Sequence, residues 1–215
     1  MISTGMPRLD KLLGGGIAAG IITDIFGPGG VGKTQLAMQI CVNALDKKII
    51  YQDTSGSFRP ERMLQLMHAK KLAPELLGNI IVARVTNAAE QIAHLKNISQ
   101  VRPGLVVIEN ITDLFSFEYS KESNSLEKHV KFMEYMHSLS LLCIQEKIPV
   151  VITNVVRRSG EQEKENLDRS ISIFTHKKIQ LSKEGNKFFA QVFPSFGTKK
   201  ETAYTITTQG LVETP

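Results

Sequence analysis

The chain of 215 residues has little cysteine, no strong charge of one sign, and no apolar run near the ~18 residues that a membrane-spanning helix requires. The missing runs exclude a helical membrane protein. The start of the chain lacks the basic stretch and apolar core of a secretory leader, so a cytoplasmic protein is expected. The two cysteines, Cys41 and Cys143, fall in apolar helical patterns with no partner at metal-ligand spacing, and are expected as small buried side chains. A formal net charge of +5 permits a polyanionic partner but falls short of the clustered basic faces of dedicated nucleic-acid binders. Internal repeats and compositional linkers are also missing, which predicts one domain over residues 1–215.

What is present alternates. Apolar runs of strand length at 21–26, 48–52, 80–85, 105–108 and 149–153 are separated by helical patterns over 33–45, 60–70, 88–100 and 126–147. That order predicts an α/β fold, a mostly parallel sheet with helices on both faces. Toward the C-terminus the pattern changes to short strands at 178–182, 187–193 and 203–207. Gly185-Asn186 suits a hairpin turn, so antiparallel strands are expected at the sheet edge. The polar segments 116–125 and 157–170 read as loops within the same domain.

The most specific motif is Gly27-Pro28-Gly29-Gly30-Val31-Gly32-Lys33-Thr34, which fits G-x-x-x-x-G-K-[ST], the phosphate-binding P-loop or Walker A pattern. Its chemistry explains its composition. Glycines let successive backbone N–H groups close around phosphate oxygens, Lys33 reaches the β and γ phosphates, and the Thr34 hydroxyl serves as a ligand for Mg²⁺. The β-branched run before the motif and the helical spacing of Leu36, Ile40 and Ala44 after it supply the required strand, loop and helix.

The residues around this loop resemble the ATPase core of RecA/RadA-type recombinases. The resemblance rests on Ile2-Ser3-Thr4-Gly5, on 9–17 (Leu9-Asp10-Lys11 through Gly16-Ile17), on Gly32-Lys33-Thr34-Gln35-Leu36, on Phe58-Arg59-Pro60-Glu61-Arg62 and on Val150-Val151-Ile152-Thr153-Asn154. It covers nearly the whole chain, without the N-terminal helical domain of full recombinases, and in that layout is similar to the short archaeal paralogue RadB. The resemblance implies a RecA-like core, ATP with Mg²⁺ as cofactors, Gln35 beside the phosphate loop, and Arg62 stacked on adenine. It also implies that Glu109, ending the Walker B-like run Leu105-Val106-Val107-Ile108, orients a water on the Mg²⁺.

Three departures bear on activity. Where the family carries a glutamate that activates the attacking water, the sequence reads Asp53-Thr54-Ser55-Gly56. A serine is a poor proton acceptor at neutral pH, and loss of a positioned base costs ~10²- to 10⁴-fold in rate. Glu109 replaces an aspartate, and as the nearest motif-matched carboxylate it is a possible substitute base. Val155 replaces a glutamine that senses the γ-phosphate, and a valine side chain neither donates nor accepts a hydrogen bond.

By the same resemblance, 116–125 and 155–170 correspond to DNA-binding loops. In the second, Arg157, Arg158, Lys164 and Arg169 are matched in number by Glu161, Glu163, Glu165 and Asp168, which predicts weak, salt-sensitive DNA binding with Arg157 and Arg158 as the best local candidates. Ser116 stands where the family tends to carry an arginine. The leading expectation is a RadB-like paralogue that binds ATP·Mg²⁺ with weak or no hydrolysis, assists recombination or DNA repair through protein partners, and is a monomer or dimer in preference to a filament. The alternatives are an active DNA-stimulated ATPase with strand-exchange activity and a regulator resembling the circadian-clock ATPases.

Overall fold

The computed structural model describes residues 1–159, 162–193 and 200–214. The helices are α1 (Pro7–Leu13), α2 (Lys33–Val42), α3 (Pro60–Ala69), α4 (Ala88–Val101), α5 (Asp113–Glu118), α6 (Ser125–Gln145) and α7 (Asp168–Ser172). The strands are β1 (Ile22–Gly27), β2 (Ile49–Asp53), β3 (Ile80–Arg84), β4 (Leu105–Glu109), β5 (Val150–Ser159), β6 (Gln162–Glu165), β7 (Lys177–Glu184), β8 (Lys187–Phe193), β9 (Glu201–Thr207) and β10 (Gly210–Glu213).

The strands form one sheet in the order β10-β9-β8-β7-β1-β5-β4-β2-β3, with β6 off this path and paired with β5. From β7 to β3 every neighbouring pair is parallel, whereas β7, β8, β9 and β10 pair antiparallel. The expected architecture is present. Its central strands are buried throughout because helices cover both faces: all five residues of β2 and of β4 are buried, apolar except for Gln52, Asp53 and Glu109 at their carboxyl ends. One core lies on the α2 and α3 side, around Leu36, Ile40, Tyr51, Met63, Val107 and Tyr204. The other lies under α4 to α7, where Phe115 meets Phe132 edge-on at 5.2 Å and Tyr135 at 5.6 Å. Cys41 and Cys143 are buried and unpaired, as expected.

Five elements, β6 among them, differ from expectation. The short α1, α5, α7 and β10 show no periodicity in the sequence, and 157–170, expected as loop, carries the end of β5 together with β6 and α7. A buried polar network accounts for the order of that segment. The Asn154 amide donates to Glu165 Oε1 at 2.7 Å and to the Asn166 carbonyl at 2.8 Å, and its oxygen accepts from Thr112 Oγ1 at 2.7 Å. Asn166 in turn donates to Ser116 Oγ at 2.8 Å, which ties α5 to the β6–α7 connection.

Glu165 and Asp168 both accept from Lys178 Nζ, which also lies 5.0 Å from the centre of the Phe26 ring and 3.7 Å from Asp24. Burial, and then the negative charge of Glu165, push the Asp24 carboxyl well above the usual carboxylate range. Burial alone would lower the Lys178 ammonium, but Glu165 and Asp168 outweigh it and hold it above its ordinary value.

The N-terminal segment is tied to the same core. Asp10 accepts from the Thr4 backbone at 2.8 Å and from its hydroxyl at 2.7 Å. Gln39 of α2 links Thr4 to β10 through the Thr4 carbonyl at 2.9 Å and the Leu211 amide at 2.8 Å. These bonds join the two flanking stretches on which the resemblance rested.

Candidate nucleotide-binding site

In parallel strands the carboxyl ends share one edge, and ligands of open α/β sheets sit there. The register places Gly27 beside Val155 and Asp53 beside Glu109 on that edge. Between β1 and α2 the glycine loop turns sharply. Gly27 has φ 154°, and a Cβ there would stand 2.1 Å from the Leu181 carbonyl oxygen, so a side chain is excluded. Gly32, at φ 95°, lies against Ile206 and Leu211 of the C-terminal strands. Tyr204 of β9, almost wholly buried, donates its hydroxyl to the Val31 carbonyl at 2.5 Å. The antiparallel tail thus clamps the loop from behind.

The loop borders a cleft of about 490 Å³ whose lining includes Gly29, Gly30, Gly32, Lys33, Thr34 and Gln35. Lys33 Nζ donates to the carbonyls of Gly27 at 2.8 Å and Pro28 at 2.7 Å, which keeps the ammonium inside the loop. Burial lowers its pKa, while Glu109 and Asp113 draw it back up. The Thr34 hydroxyl donates to Glu109 Oε1, and the Tyr51 hydroxyl donates to Glu109 Oε2. Glu109 is only 1% exposed. A buried carboxylate against the loop hydroxyl, an ammonium held beneath, and glycines free of side chains make a donor set that fits a Mg²⁺-bound polyphosphate.

Arg62 also lines the cleft, from α3. Its guanidinium donates to Gln35 Oε1 at 2.7 Å, to the Thr207 carbonyl at 2.9 Å and to the Thr208 carbonyl at 2.8 Å, so its plane is fixed by the β9–β10 turn. Ile206 stands on the same wall. Val155 lines the cleft with its apolar side chain, at the place expected for a γ-phosphate sensor.

Ser55 lies in an exposed turn beside Ser57, which itself lines the cleft. Asp53 organises that turn: Oδ1 accepts from the backbone of Ser55 at 3.1 Å, Gly56 at 2.7 Å and Ser57 at 3.2 Å, and Oδ2 accepts from Phe58 at 3.1 Å. The Ser55 hydroxyl pairs with Ser57 at 2.9 Å. Arg84 reaches Asp53 at 3.3 Å from a half-exposed position and contributes little, since water screens it. Replacing Asp53 by asparagine removes the charge and turns one of its two acceptor oxygens into a donor facing an N–H group, and should lower unfolding free energy by roughly 2 to 4 kcal/mol in urea titrations.

The candidate DNA contacts lie elsewhere. Arg157 and Arg158 sit on β5, in register with Lys164 and Glu163 of β6. Arg157 is exposed, and its charge acts on Asp113. Burial raises the Asp113 carboxyl above its ordinary value, and Arg157 and Lys33 pull it partly back. Glu161 lies outside the described residues. Sequence reasoning missed Tyr51, Tyr204 and Asp53 as parts of this site. Their partners are far away along the chain or are backbone groups, and only an apolar strand pattern marks the two tyrosines.

No helix among the described residues is long and apolar enough to cross a membrane. The Rad51 family model matches residues 1–214. Over 174 residues the chain is 36% identical to the DNA repair and recombination protein RadA of Cenarchaeum symbiosum, covering 75% of this chain and 44% of the relative. The RadA of Metallosphaera sedula is 37% identical over 169 residues, covering 72% of this chain and 52% of the relative. The DNA repair and recombination protein RadB of Pyrococcus furiosus is 33% identical over 160 residues, covering 73% of this chain and 68% of the relative. The chain spans about half the length of the RadA relatives that it matches. With its parallel sheet, glycine loop and buried strand-end carboxylate, the chain belongs to the Rad51 family.

Proposed function

We propose that the protein binds ATP·Mg²⁺ in the cleft above Gly27 to Thr34, hydrolyses it weakly or not at all, and assists DNA recombination or repair as a RadB-like accessory. The observation that carries this reading is the pairing of a complete phosphate cradle with Ser55 where a carboxylate base is expected. Backbone N–H groups of the loop and Lys33 bind the phosphates, and Thr34 with Glu109 holds the cation. Arg62, its plane fixed by the tail, offers a flat cationic face to adenine. A bound cation would neutralise phosphate charge, and Thr34 and Glu109 are the residues that would hold it.

Glu109 is a poor substitute base in this arrangement, because Tyr51 holds its Oε2 and its Oε1 faces Thr34 and the cation that the two would hold, so the carboxylate is committed to the metal side of the cleft. Val155 offers no hydrogen bond to report the γ-phosphate to the β5–β6 hairpin. The names of the RadA and RadB relatives support a role in recombination and repair. The balanced charge of 157–170 favours action through protein partners over tight DNA binding. The chain acts as one ATPase-core domain, as a monomer or dimer.

A ligand that binds only the folded state stabilises it by mass action. At about a hundred times its Kd, ATP with Mg²⁺ should add roughly 2.7 kcal/mol and raise the melting temperature by about 5 to 10 °C. Calorimetry in the presence and absence of nucleotide checks this. An unchanged melting curve at saturating ATP and Mg²⁺ counts against the reading.

A further inference from the structure

We propose that Tyr51 is a positioning residue for Glu109, holding one carboxylate oxygen so that the other stays directed to Thr34 and to the cation that Thr34 would bind. The inference deepens the ATP·Mg²⁺ reading and rests on it. Tyr51 is fully buried near the centre of β2, paired in register with Val107. Its ring packs against Phe58 with 4.8 Å between centroids. Glu109 pairs with Asp53, two residues further along the same face. Tyr51 and Glu109 thus share one face of the sheet, where the carboxylate accepts from the Tyr51 hydroxyl.

The two hydroxyls divide the carboxylate between them, Thr34 on Oε1 and Tyr51 on Oε2. Thr34 lies on the cleft, and its hydroxyl is the group that turns to a cation. Tyr51 has no such alternative. It has no access to water, and Glu109 Oε2 accepts its hydroxyl proton. When Thr34 turns away, Tyr51 keeps Glu109 anchored. An unanchored glutamate would have to lose rotamer freedom at each cation-binding event.

The test compares ATP affinity with Mg²⁺ and with EDTA, by calorimetry, for the wild type, Tyr51→Phe, Glu109→Gln and the double variant. Tyr51→Phe keeps the ring and should melt cooperatively with secondary structure intact. It should leave metal-free ATP affinity unchanged and cut the Mg²⁺ enhancement on the order of 10-fold, the loss of one hydrogen bond to a charged group. Glu109→Gln should cut the enhancement at least as much, and adding Tyr51→Phe to it should cost nothing further. An enhancement unchanged in Tyr51→Phe, or losses that add in the double variant, would overturn the positioning role while leaving ATP·Mg²⁺ binding in place. If Tyr51→Phe fails to fold, the hydroxyl is structural and the positioning role is likewise overturned. A wild type that binds no ATP under either condition overturns the functional reading and the inference with it.

Discussion

Lys33→Ala should weaken ATP binding by roughly 10²-fold or more, the largest single loss expected in this site. Two charge-assisted hydrogen bonds to phosphate, at about 1.5 to 3 kcal/mol each, set that scale. The ammonium is already in place: it sits on the carbonyls of Gly27 and Pro28, and burial lowers its pKa while Glu109 and Asp113 draw it back up. Removing it also leaves those two carbonyls without their donor. The variant should still fold, because Tyr204 and the close approach of Leu181 to Gly27 hold the loop from the other side. Calorimetric titration with ATP·Mg²⁺ checks the prediction, and an affinity within a few-fold of wild type would contradict it.

The second large effect is a gain. Ser55→Glu should raise single-turnover ATP hydrolysis by about 10²-fold, the lower range for restoring a positioned base. The backbone that would carry the new carboxylate is already fixed, since Asp53 holds the N–H groups of Ser55, Gly56 and Ser57. Gly56 is kept in the same experiment, because its φ of 72° lies in the left-handed region that strains a residue with a Cβ. The lower end of the range is expected because Val155 still lacks the γ-phosphate contact, and because a second carboxylate near Asp53 costs some repulsion. No gain from Ser55→Glu, with ATP affinity retained, would mean that the missing base is not what limits turnover.

Much of this site is legible in the sequence, for physical reasons that differ from part to part. The P-loop is legible because its function lies in the backbone, so its glycines must appear at fixed spacing whatever surrounds them. The central strands are legible because burial on both faces demands uninterrupted apolar runs, as at Leu105 to Ile108. The departures Ser55, Glu109 and Val155 are visible only through resemblance, since nothing in a single chain marks a residue as missing.

What escaped the sequence is long-range. Tyr204 reaches Val31 across 173 positions and Tyr51 reaches Glu109 across 58. Either tyrosine alone reads as strand filler. The segment 157–170 looked like solvated loop because its charges balance in number. In the fold, two of those acidic groups, Glu165 and Asp168, converge on Lys178, a partner in a different element. Charge counting sees composition, whereas order depends on which charges meet.

The most direct measurement mixes wild-type protein in excess with radiolabelled ATP and Mg²⁺, and follows bound nucleotide and released phosphate in the same sample, with and without single-stranded DNA. The account predicts that ATP is bound nearly completely and persists uncleaved long after binding has saturated, with or without DNA. Rapid conversion of the bound ATP, accelerated by DNA, would contradict it.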